Sequence, residues 1–85
     1  MRLEFGSTTE LNIEDPRGHS PETLRRLRQA LASGAPAVPD PRRAGFFEIQ
    51  ARDEVFYIHI SAATQQITLL ATWSPETKLE IVRSA

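Results

Sequence analysis

The chain has 85 residues, no cysteine and a net charge of −1 at pH 7, with 40 % of its residues hydrophobic and 25 % charged. That size and balance suit one small globular domain over residues 1–85 with a single core, and they exclude disulfides, thiolate metal sites and cysteine nucleophiles. No apolar run approaches the ~20 residues of a bilayer span, and "MRLEFGSTTE" lacks the apolar stretch of a signal peptide, so a cytoplasmic protein without membrane contact is expected.

The N-terminal "MRLEFGSTTELNIEDP" alternates Leu3 with Phe5 and Leu11 with Ile13 around a polar interval, which predicts a half-buried strand or a loose hairpin over residues 2–13. Asp15-Pro16-Arg17-Gly18 has turn chemistry. A helix follows over residues 21 to 32: Ser20 suits the N-cap, Pro21 the first helical position, Glu22 the positive end of the dipole and Gly34 a left-handed C-terminal residue. Leu24, Leu27 and Leu31 form one apolar stripe; Arg25, Arg26 and Gln29 point outward, with Arg28 at the stripe's edge.

"ASGAPAVPDPRRAG" is too rich in Pro and Gly for a helix or a central strand. It reads as an extended crossover with Val38 as its one sizeable apolar anchor. Beyond it, "FFEIQARDEVFYIHISAATQQITLLATW" alternates as a three-stranded meander. With Asp53 and Glu54 as a two-residue loop, Ala51 faces Phe56, Ile49 faces Ile58 and Phe47 faces Ile60. A four-residue loop between Ser61 and Gln66 then sets Ile60 opposite Ile67, Ile58 opposite Leu69 and Phe56 opposite Ala71. Both hairpins thereby gather their apolar residues, Trp73 among them, on one face. The closing "SPETKLEIVRSA" suits a short helix better than a strand. The expected class is α+β: an antiparallel sheet with a C-terminal three-stranded meander, packed against one main amphipathic helix.

The opposite sheet face collects Phe46, Glu48, Gln50, Arg52, Val55, Tyr57, His59, Thr68, Leu70 and Thr72, with Glu48 opposite His59 and Tyr57 between Gln50 and Leu70. A carboxylate beside an imidazole is the start of acid–base chemistry, and a weak enzyme using Glu48 and His59 is one reading. The sequence offers no activated nucleophile, metal-ligand cluster or phosphate loop beside them, so no catalytic residue, cofactor or metal is expected. An aromatic centre with a polar rim is how protein interfaces are built. The leading expectation is therefore a non-enzymatic interaction domain, with Phe46, Glu48, Gln50, Arg52, Tyr57, His59, Thr68 and Leu70 as its contact residues. Its expected partner is a protein, and a second copy in a homodimer, joined by the sheet face or a sheet edge, is the simplest.

Charge is uneven: residues 17–43 carry six Arg against Glu22 and Asp40. Arg25, Arg26, Arg28, Arg42 and Arg43 are the candidates for an RNA- or DNA-binding module, although the overall charge of −1 argues against nucleic acid. The order strand, helix, three-stranded meander is similar to that of bacterial RelE/ParE-type toxins. Such toxins have two helices before the meander and a strongly basic surface, whereas this chain has one clear helix and a Pro-rich linker. No motif carries a residue over, and no family is assigned on that likeness.

Overall fold

A computed structural model describes residues 12–75. Of the strand or hairpin expected over residues 2–13, all that precedes Asn12 lies outside the described residues, as does the terminal element expected from residue 75 onward beyond its first residue. The elements are β1 (Ile13–Glu14), α1 (Pro21–Ala32), β2 (Ala37–Pro39), β3 (Phe46–Gln50), β4 (Val55–Ile60) and β5 (Ile67–Trp73). One helix on a five-stranded sheet makes the fold α+β, and β3, β4 and β5 form the meander.

α1 has the limits and caps that its sequence dictates. The Ser20 hydroxyl accepts from the Thr23 amide at 3.2 Å. At the other end Gly34, at φ +74, lets the chain reverse. Its amide donates to Leu31 and the Ala35 amide donates to Ala30, the paired bonds of a Schellman stop. Leu27, Ala30 and Leu31 are buried against Ile49, Phe56, Ile58, Ile67 and Leu69, with Leu24, Phe47 and Ile60 packed around them.

The sheet order is β1-β5-β4-β3-β2, so the two strands flanking α1 in sequence lie at opposite edges. Those edges are four strand spacings of about 4.8 Å apart, and the connection that joins them includes the 12-residue α1. The sheet is mixed rather than purely antiparallel: β1 runs parallel to β5, with Ile13 beside Ile67. The Pro36 carbonyl accepts from Gln50, and Arg26 of α1 reaches Glu54, so the chain leaves α1 at the end of the sheet where β3 finishes and β2 begins. β1 itself ends beside Thr68, near the start of β5, and residues 15–20 lead from there into α1.

Three details of the expected pairing are corrected. In the first hairpin Ile49 faces Phe56, Phe47 faces Ile58, Glu48 faces Tyr57 and Phe46 faces His59. That is two residues from the expected register, because the loop takes four residues, 51–54, closed by the Ala51 amide on the Glu54 carbonyl at 2.9 Å. A slip of two keeps every side chain on its face. In the second hairpin Ile60–Ile67, His59–Thr68 and Ile58–Leu69 pair as expected, but a bulge follows, and Tyr57 faces Ala71, Phe56 faces Thr72 and Val55 faces Trp73. The extra residue, Leu70, inverts the faces beyond it. Ala71 and Trp73 therefore lie on the Tyr57 side, while Thr72 lies on the helix side. Finally, the crossover contains an edge strand whose anchor is the fully buried Ala37; Val38 is 42 % exposed.

Thr72 has a role that suits its inverted position. Glu54 accepts from the Arg26 Nε at 2.7 Å and from the Thr72 hydroxyl, which ties α1, the β3–β4 loop and the end of β5 together. Burial raises the Glu54 carboxyl pKa, but the Arg26 and Thr72 hydrogen bonds and the guanidinium charge outweigh it and hold the group below its ordinary value.

Truncating Leu27 to Ala should cost about 2–5 kcal/mol, and Ser20→Ala about 1 kcal/mol, in urea unfolding followed by circular dichroism. A carboxylate with a lowered folded pKa contributes stability that is complete above its unfolded value, about 4.3, and is lost as pH falls through the folded value. Glu54→Gln should accordingly flatten the fall in thermal midpoint between about pH 5 and pH 3 seen in the parent protein.

Candidate functional site

Alternation along β4 places Val55, Tyr57 and His59 on the face away from α1, and cross-strand pairing adds Phe46 and Glu48 from β3 and Thr68, Ala71 and Trp73 from β5. At its centre the Phe46 ring stacks near Tyr57, with centroids 5.8 Å apart and planes at 24°. It meets His59 at 4.7 Å and 44°. The Arg43 guanidinium lies over the other part of this cluster, 3.8 Å from the Phe46 centroid, a cation–π distance.

Gly45 makes the close packing around His59 possible. Its φ is +85, and a β-carbon there would lie 3.3 Å from His59 Nε2 and 3.4 Å from the Ile60 carbonyl. Any larger residue would strain the backbone and crowd the imidazole.

The loop carrying Arg43 is fastened by Asp40. The Asp40 amide donates to the Phe46 carbonyl at 2.9 Å, closing the β2–β3 connection. Its Oδ1 accepts from the Arg42 amide at 2.9 Å, an Asx turn. The other oxygen, Oδ2, accepts from the Tyr57 hydroxyl at 2.6 Å. The Tyr57 and Arg42 hydrogen bonds hold the Asp40 carboxyl below its ordinary pKa, and the Asp40 hydrogen bond raises that of Tyr57. One aspartate thus joins the loop's own turn to the sheet face on which Arg43 must settle.

Of the expected contact residues, Phe46, Tyr57 and His59 come together as the aromatic centre. Glu48 pairs with Tyr57 rather than with His59, and Gln50 pairs with Val55 rather than with Tyr57. The acid–base rung between Glu48 and His59 is therefore absent from the register. Thr68 faces His59 as expected, whereas Leu70 is displaced by the bulge and Ala71 takes its rung. Arg52 is an exposed loop residue rather than a strand residue.

The arginines do not form one patch. Arg26 lies on the helix side in its ion pair with Glu54, and Arg25 and Arg28 belong to the same helix. Arg42 and Arg43 sit on the β2–β3 loop, with Arg43 over the opposite sheet face. Among the described residues, no group of three or more His, Asp and Glu is arranged to hold a metal ion, and no helix is long and apolar enough to cross a membrane.

The sequence reading passed over Asp40, Gly45, Arg17 and His19. Asp-Pro-Arg-Arg and Asp-Pro-Arg-Gly are both visible turn signals, but which strand each turn folds against depends on the sheet order. Comparison with known proteins gives no match to a protein-family model and none to a curated protein.

Tyr57 is the chain's only tyrosine, so its ionisation can be followed by ultraviolet absorbance without interference. Its midpoint should lie above the ordinary value of about 10 in the folded protein and move back toward it in Asp40→Asn.

Proposed function

We propose that this protein is a non-enzymatic protein-interaction domain whose contact surface is the sheet face centred on Phe46, Tyr57 and His59, with a second copy of the chain as its partner. The observation that carries this reading is the aromatic cluster itself. α1 buries the other face, while Phe46 stacks with Tyr57 and meets His59 at a tilt on the face away from α1. Aromatic residues and Arg are the side chains most enriched at the energetic centres of interfaces. Here they are also held in place by Asp40 and Gly45, so little conformational freedom is lost on contact.

A face is a better candidate than an edge. β1 has two residues, and β2 has three, ends in Pro39 and is preceded by Pro36. Short edges carrying proline resist strand addition, because proline has no amide to donate. Two copies meeting face to face carry complementary charges, Arg43 and Glu48 being borne by the same sheet face, and the net charge of −1 imposes little repulsion.

Sedimentation equilibrium tests the proposal. The weight-average mass should rise from one chain toward two as concentration goes from micromolar to millimolar, and the Phe46→Ala, Tyr57→Ala double variant should remain a monomer over that range. A parent chain that stays monomeric throughout, or a double variant that associates equally well, contradicts the reading.

A further inference from the structure

A cavity of about 550 Å³ opens beside the aromatic cluster, lined by Arg17, His19, Arg43, Tyr57, Leu70 and Ala71 among others. We propose that it binds a small organic oxyanion, its phosphate or carboxylate held by Arg17 and Arg43 and its body resting on Tyr57, Leu70 and Ala71.

The lining is built from separate parts of the chain. Arg17 comes from the turn after β1, where the Gly18 amide donates to the Asp15 carbonyl at 3.2 Å. The His19 Nδ1 sits 2.7 Å from Asp15 Oδ1, a part-buried pair that holds the turn. Arg43 comes from the β2–β3 loop that Asp40 fastens. The floor exists because of the β-bulge: it places Ala71 opposite Tyr57, leaving a small side chain where an uninterrupted strand would put Leu70.

Charge decides what fits. Among the described residues neither Arg17 nor Arg43 is in an ion pair, although carboxylates lie close by. Each of those carboxylates is already engaged: Asp40 with Tyr57 and the Arg42 amide, Asp15 with His19, and Glu54 with Arg26 and Thr72. Asp40 acts on Arg43 only at longer range. Two guanidiniums without ion pairs facing one cavity favour an anion, since guanidinium matches the geometry of carboxylate and phosphate oxygens. The volume falls within the range of small-molecule sites and exceeds what a bare ion needs. The apolar floor gives such a ligand's body a surface to cover.

This site shares Tyr57 and Arg43 with the proposed contact surface, and the experiment separates the two by working at dilution, where the chain is a monomer. Two-dimensional amide NMR of the ¹⁵N-labelled chain is recorded, at dilution, with phenyl phosphate, benzoate, inorganic phosphate and sodium chloride as probes. Phenyl phosphate or benzoate should give saturable shifts at Arg17 and at Leu70 to Thr72. Tighter binding of phenyl phosphate identifies a phosphate ester as the natural group, and tighter binding of benzoate a carboxylate. Arg17→Gln, a change at an exposed turn, should weaken that binding about tenfold, the effect of losing one charge-assisted hydrogen bond. Arg25→Gln should leave binding unchanged. The Arg17 variant should also retain the parent's concentration-dependent mass. Shifts that fail to saturate, that chloride reproduces, or that Arg17→Gln leaves intact would overturn the site, whatever the outcome for self-association.

Discussion

The packing of α1 against one face of the sheet is the constraint from which the rest follows. Leu27 of the helix and Ile49, Phe56, Ile58, Ile67 and Leu69 of the three meander strands are all fully buried in that layer. A chain of 85 residues has room for little more than one such layer. Among the described residues α1 is the one helix on this sheet, and the connection that contains it runs from one edge strand to the other. The packing of α1 fixes which face of β3 and β4 is buried and which is left with Phe46, Tyr57 and His59. Phe46 and Tyr57 are on the far side because their neighbours Phe47 and Phe56 are needed on the near one.

Two local devices then shape the face away from α1. Asp40 satisfies its own turn with one carboxylate oxygen and the Tyr57 hydroxyl with the other, so the loop that carries Arg43 is registered against the sheet. The bulge at Leu70 changes which residues of β5 each face receives. It sends Thr72 to the helix side, where its hydroxyl meets Glu54, and brings Ala71 beneath the groove beside Tyr57. Neither device adds much buried apolar surface. Their effect is to make this face aromatic at its centre and cationic along its margin, which underlies both the contact surface and the anion site proposed for it.

Much of this was legible in the residues themselves. The limits of α1 follow from Ser20, Pro21 and Gly34, and the buried faces of β3 and β4 follow from alternation, which survives a two-residue slip because strand periodicity is two. What alternation does not determine is the slip itself. Asp53-Glu54 and the four-residue loop 51–54 bury the same side chains, yet they give His59 different partners, Glu48 in one case and Phe46 in the other. Nor does alternation reveal the bulge: "ITLLATW" continues with small and apolar residues on both sides of Leu70, so either face is compatible with its pattern. Asp40 was hidden for another reason. Its Asx turn is readable in Asp-Pro-Arg, but its bond to Tyr57 joins residues 17 apart and depends on strand order. Size alone points to Val38 as the anchor, but the edge strand turns the smaller Ala37 inward and leaves Val38 exposed.

The difference between an acid–base rung and an aromatic contact surface comes down to the β3–β4 register, which proton NMR can read directly. Hydrogen-bonded rungs at Ala51–Glu54 and Gly45–Ile60 make Glu48–Tyr57 and Phe46–His59 the closely spaced pairs, with Cα atoms about 4.5 Å apart. The structure predicts strong Hα–Hα nuclear Overhauser effects between Glu48 and Tyr57 and between Phe46 and His59. Strong Hα–Hα effects between Ile49 and Ile58 and between Phe47 and Ile60 would instead establish the two-residue loop, return Glu48 to His59, and contradict the aromatic face described here.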